Sequence, residues 1–137
     1  MNEKYSSPFE ILYRGKGFNE REIPKRVQSF SMSLHYPDYN AWIHYYEKEE
    51  LSKAYTEGLS PYIHHIKKFS GSLTLDRSIS WCDPLDVQKD ADKLNKHNRE
   101  VFAANGIPYI INVRFGDEKS YPFCFHDIPE NSTLFIG

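Results

Sequence analysis

Cysteine is scarce in this chain of 137 residues: Cys82 and Cys124 are its only two, and they form no CxxC pair. A framework of several disulfides is thereby excluded, and the usage fits free thiols in a reducing, cytosolic setting. Long apolar runs are also missing. The longest span a handful of residues, too few for a membrane-spanning helix, and the opening Met1-Asn-Glu-Lys-Tyr-Ser-Ser-Pro8 has no apolar signal region. Neither sign of charge dominates: 17 Lys and Arg against 19 Asp and Glu leave a formal charge of -2. Nothing here provides the global basic field of an indiscriminate nucleic-acid binder, although a local patch stays open. The patterns GxGxxG, GxxxxGK[ST], HExxH and GxSxG are all lacking, and Gly15-Lys16-Gly17 is too short to cradle a phosphate.

What the chain does have is aromatic side chains, at 15% of residues with 10 Tyr and 9 Phe. They bury large areas, and Tyr and Trp add a polar tip suited to interfaces. The length suits one domain with a sizeable core. Residues 1–26 are polar, with Pro8, Gly15, Gly17 and Pro24, and read as an arm or loop-rich lead-in. Residues 27–137 read as one α/β domain.

Within that domain, alternation predicts a strand over Val27 to Leu34 with Phe30, Met32 and Leu34 inward. Trp42 to Tyr46 is a second strand by composition. Glu47 to Glu57 reads as a helix stopped at Gly58, and Ser60-Pro61 restarts one that runs to about Phe69. A short strand at Ser72 to Leu75 precedes the longest helix, with Asp83 as N-cap and Pro84 at its first position. Val87, Ala91, Leu94, Val101 and Phe102 supply its apolar spacing, and Asn105-Gly106 its stop. Ile107 to Val113 is the next strand. Residues 72–113 therefore form a βαβ unit, with parallel strands and a right-handed crossover in a small, mostly parallel sheet. Thr133 to Ile136 adds a final strand. An α/β sheet needs cover on both faces: either the earlier helices supply it, or another copy or a partner does.

Ile110-Ile-Asn-Val-Arg-Phe-Gly-Asp-Glu-Lys-Ser-Tyr-Pro-Phe-Cys-Phe-His-Asp-Ile-Pro-Glu-Asn-Ser132 resembles the signature IPNVRWGDE-x-SY-x-F-x-F-x-GIPKNS of a bacterial and phage family called domain of unknown function 4417. Upstream, Phe69-Ser-Gly-Ser-Leu-Thr-Leu-Asp-Arg-Ser-Ile-Ser-Trp-Cys-Asp-Pro84 is similar to that family's F-x-G-V-x-SPDFS segment, and Asp38-Tyr-Asn-Ala-Trp-Ile-His-Tyr-Tyr46 to another. The resemblance covers roughly residues 27–137. It implies a bacterial or phage origin and a cytoplasmic setting, and it supplies no activity. Two departures stand out. Leu75-Asp-Arg-Ser78 replaces the family's Pro-Asp-Phe-Ser element, and the family pattern continues into a motif of His-Gly-Cys character where this sequence ends at Gly137. A family active site completed by that later part is expected to be lacking here.

Ligands of open α/β sheets bind beyond the carboxyl ends of the strands. That geometry predicts one rim carrying Asp76, Arg77, Arg114, Asp117 and Glu118, able to hold a divalent cation through oxygen or to clamp a phosphate or carboxylate through arginine. Alternatively, Arg114 pairs with Asp76 across the strands and Asp117 caps its own turn. Asp83 at a helix start adds an anion option. Cys124 and His126, two apart, would share a face if extended, but no further zinc ligands lie nearby. His64 and His65 fit a solvated or interface face. Trp42, His44 and Tyr46 share a strand face that suits core packing or ring stacking, and Trp42, Tyr46, Trp81 and Tyr121 are the candidate interface aromatics.

Three functions fit. One is a small phage or mobile-element protein that binds a host protein or nucleic acid, counter-defence included. Another is a metal- or phosphate-dependent, hydrolase-like enzyme, or its truncated relative, using the rim on a phosphorylated or nucleotide-like substrate. The third is a homo-oligomer pairing or packing through the final strand. Self-association is expected, and a membrane location is not.

Overall fold

The computed structural model describes residues 10–13, 24–126, 128 and 134–136. Six short strands make one sheet: β1 (Glu10–Tyr13), β2 (Val27–Ser29), β3 (Trp42–His44), β4 (Gly71–Leu73), β5 (Tyr109–Asn112) and β6 (Leu134–Ile136). Their order is β1-β6-β5-β4-β3-β2, with β2 to β6 parallel and β1 antiparallel to β6. Among the described residues five α-helices accompany them: α1 (Phe30–Ser33), α2 (Lys53–Thr56), α3 (Ile63–Ile66), α4 (Leu85–Ala104) and α5 (Tyr121–Cys124). The fold is α/β with a mostly parallel sheet. The segment 72–113 is β4–α4–β5, pairing Ser72 with Tyr109 and Leu73 with Ile110.

The parallel strands lie side by side in chain order. With crossovers of uniform hand, that order sends every connection over the same face. Packing agrees: Phe30 of α1, Tyr55 of α2, Ile66 of α3 and Phe102 of α4 share one buried cluster with Ile43 and Tyr45. Each such side chain contributes about 1.5–3 kcal/mol when fully buried. Trp42, Leu73 and Ile110 alternate to the opposite face, where they gather with Phe135 and the partly buried Val27 and Tyr46. That second cluster contains no residue of the described helices.

Several elements depart from the sequence reading. The strand expected over Val27 to Leu34 stops at Ser29, whose hydroxyl caps α1 by accepting from the Met32 N–H at 3.2 Å. Phe30 is buried, but Met32 turns outward at 51% exposure. The helix expected over Glu47 to Glu57 breaks at the buried, extended Ser52 into a 3₁₀ turn (Glu49–Leu51) and α2. Ser60 forms no side-chain cap; it opens a 3₁₀ turn, and α3 ends at Ile66. At α4 the cap is Pro84, one residue later than Asp83. Part of the lead-in is β1, while Gly15 and Gly17 lie outside the described residues. The final strand is flanked by β1 and β5 on its two edges, so it is not available to pair with a second copy.

The largest departure is α4 itself. Its buried positions are Gln88, Asp92, Asn95, Arg99 and Phe102, recurring every three or four residues as one stripe. The apolar stripe that should have faced the core includes Val87 and Leu94, which are 46% and 39% exposed. The helix therefore presents polar groups inward along most of its length.

Candidate anion-binding and acid–base site

The polar stripe of α4 meets the sheet where β4 and β5 end. Asp76, three residues past β4, is 0% exposed. Its Oδ2 accepts from the Thr74 hydroxyl at 3.0 Å and lies 3.7 Å from an Arg99 terminal nitrogen. Its Oδ1 has no hydrogen-bond partner. Thr74 Oγ1 also accepts from the Asn112 N–H at 2.9 Å, and the Tyr55 hydroxyl donates to the Asp76 carbonyl at 3.0 Å. These bonds fix the strand end independently of the carboxylate. Burial pushes the Asp76 carboxyl up to about 7, against the opposing pull of Arg99, the Thr74 hydroxyl and Arg114. Desolvation of the charged form outweighs two guanidinium groups.

Arg114, just past β5, lies with its Cζ 5.6 Å from the ring centroid of Tyr46. The Tyr46 hydroxyl donates to Asn112 Oδ1 at 2.8 Å. Burial pushes that phenol up to about 12 despite the nearby Arg114. Both Arg99 Nε and Arg114 Nε are buried without a hydrogen-bond partner. An unmade bond at a buried polar group costs about 1–3 kcal/mol, more when the group is charged. Two donors and one carboxylate oxygen are thus left unsatisfied where β4 and β5 end against α4, and an anionic oxygen there could meet an arginine and exchange a proton with Asp76.

Of the five rim residues expected from sequence, Arg114 lies near enough to Asp76 to act on its charge, and the other three do not join them. Arg77 turns to Glu49, at 3.5 Å, and to the Tyr55 carbonyl, at 3.2 Å, while its own backbone is clasped by Asn95. Asp117 caps the 3₁₀ turn Glu118–Ser120 by accepting from the Lys119 N–H at 3.1 Å, and Glu118 is exposed. The close ion-pair partner of Asp76 is Arg99 rather than Arg114. Among the described residues, no group of three or more His, Cys, Asp or Glu is placed to hold a metal ion.

The aromatic candidates divide similarly. Trp42 is buried, with its ring so close over Gly71 that a Cβ there would lie 2.5 Å from it. That closeness removes Trp42 from the interface candidates, and Tyr46 belongs to the polar centre. Trp81 and Tyr121 are exposed, at 70% and 42%. Cys124 sits in helical α5 rather than in an extended segment; it is buried beside Ser120, and burial raises its thiol, whereas His126 is exposed. His65 Nε2 is 3.0 Å from the Ser33 hydroxyl, and His64 is exposed.

Sequence reading missed Arg99, Thr74, Asn95 and Asn112. A signal for two of them was present: Gln88, Asp92, Asn95 and Arg99 repeat at helical spacing in line with Phe102. Polar residues collinear with a core aromatic mark a helix face turned toward a polar site.

A family model described as Domain of unknown function (DUF4417) matches residues 4–137, so the chain belongs to that family. No curated protein and no solved structure matches it. No helix among the described residues is long and apolar enough to cross a membrane.

Proposed function

We propose that this member of the family binds a small phosphorylated or carboxylated molecule at the strand ends and moves a proton there through Asp76. One observation carries the reading: Asp76 Oδ1, Arg99 Nε and Arg114 Nε are each buried without a hydrogen-bond partner, with Arg99 3.7 Å from Asp76 and Arg114 near enough to act on its charge. A purely structural cluster of this kind is a net cost, because apolar residues of similar volume would serve stability as well or better. The arginines would hold the anion, Arg114 positioned by Tyr46 and Arg99 by α4. Asp76, titrating near 7, would exchange a proton with the ligand at neutral pH. Such a constellation suits acid–base chemistry on an anionic substrate without requiring a carboxylate-bound metal.

The test is protection from thermal unfolding by orthophosphate. A ligand that binds only the folded state stabilises it by about 2.7 kcal/mol at one hundred times its Kd. A rise in Tm with phosphate is expected in the wild type and in Asp76→Asn, and its loss in Arg114→Gln. A wild-type Tm that ignores phosphate over the millimolar range at constant ionic strength would defeat the reading.

A second reading is the docking of a host macromolecule, favoured by the exposed rings of Phe115, Tyr121 and Phe125. These pack on one another at centroid distances of 5.2–5.7 Å. Exposed aromatic clusters are common at protein contacts. Retention of a defined partner by the wild type, lost in Tyr121→Ala/Phe125→Ala, would support it.

A further inference from the structure

The loop after β4 and the loop after β5 approach closely at Gly116. A Cβ built on Gly116 would lie 2.8 Å from Gln88 Oε1 and 3.1 and 3.2 Å from the backbone N and Cα of Trp81. A side chain at position 116 would crowd the Trp81 backbone, and the close approach sets Trp81 beside the strand end that carries Arg114. Arg114 and Gly116 are two residues apart, their Cα atoms at most about 7 Å from one another, so Trp81 and Arg114 lie at the same end of the sheet. Trp81 is 70% exposed although it sits in a constrained loop contact, so a face of its indole is open to a planar ring. Phe115 borders the same stretch, its ring already occupied by Tyr121 and Phe125.

We infer that the ligand of the polar site is a nucleotide, its phosphate held by Arg114 and Arg99 and its base stacked on Trp81. This rests on the anion-binding reading above and adds the substrate class. Stacking tolerates any base, because every base has a π face. The formal charge of -2 speaks against a long polyanion as the natural ligand and leaves a mononucleotide as the better match.

The experiment titrates the full chain with adenosine 5′-monophosphate, guanosine 5′-monophosphate and orthophosphate, following tryptophan emission and, independently, Tm. Trp81→Phe identifies which of the two tryptophans reports, since Trp42 is buried. Both nucleotides are expected to bind about 10-fold or more tightly than orthophosphate, an advantage that Trp81→Ala abolishes while orthophosphate affinity stays unchanged. Arg114→Gln weakens all three. Equal affinity for nucleotide and orthophosphate, insensitive to Trp81→Ala, overturns the nucleotide assignment and leaves the anion site standing. No binding of any of the three removes the anion site, and this inference with it.

Discussion

At the scale of single residues, Asp76 sets a stability cost that depends on pH. An unfolded aspartate titrates near 3.9, whereas burial holds the folded carboxyl near 7. Between those values the folded state keeps a proton that the unfolded chain has lost. Stability from this group therefore falls as pH rises from about 4 to about 7, and the penalty is complete above that. Full burial leaves little solvent screening, so the gap corresponds to roughly 4 kcal/mol as an upper bound. His44 and His65 act in the opposite sense. Burial lowers both, so acidification charges them more readily in the unfolded chain. The informative quantity is thus a difference between variants: from pH 5 to pH 8 the wild type is expected to lose about 2–3 kcal/mol more than Asp76→Asn, measured by urea unfolding. Parallel pH profiles for the two proteins would mean that Asp76 is charged in both states. Asp76 and Arg114 were legible as candidates because residues just past parallel strands sit at the rim. Arg77 shared that position in sequence, but its guanidinium found Glu49 and a carbonyl instead.

At the scale of elements, α4 inverts the usual logic of an amphipathic helix. Asn95 is 1% exposed and holds the Arg77 backbone at both ends, accepting from its N–H at 2.7 Å and donating to its carbonyl at 3.1 Å. Losing this pair leaves two backbone groups in a part-buried place, at about 1–3 kcal/mol each. The adjacent Leu94 is 39% exposed and contributes little. Leu94→Lys is therefore expected to change stability by less than about 0.5 kcal/mol, and Asn95→Leu to cost about 2–6 kcal/mol, both read from denaturant midpoints. The opposite ranking would restore the apolar stripe to the core and overturn the helix orientation described here. Periodicity located α4 and its Asn105-Gly106 stop, where Gly106 adopts a φ of 67°. It misjudged the buried face because hydrophobic spacing counts which residues are apolar and not what lies opposite them. Opposite Arg99 lies a buried carboxylate.

At the scale of the whole molecule, the sheet is wound in one direction, and its centre and edges differ in support. β4 lies inside the sheet, with Ser72 and Thr74 donating to Pro108 and Ile110 carbonyls at 2.9 and 3.1 Å. β2 is a three-residue edge strand, a length that limits unwanted pairing with other chains. Native-state hydrogen exchange should find the Ser72 and Thr74 amides among the slowest and those of Val27–Ser29 markedly faster. Equal protection across the sheet would contradict the order of strands. Winding in one direction also explains why four helices feed a single core cluster while Trp42, Leu73 and Ile110 form another behind the sheet.

The sequence by itself determined the α/β class, the β4–α4–β5 unit, the family and the rim position of Asp76 and Arg114. Each of these depends on local spacing, on turn chemistry or on a contiguous motif. Tertiary structure alone decided that Arg99 answers Asp76, that Arg77 is spent on Glu49 and the Tyr55 carbonyl, and that the final strand is interior. Those outcomes follow from which groups desolvate one another across distant parts of the chain, and a buried charge takes its properties from its neighbours in space.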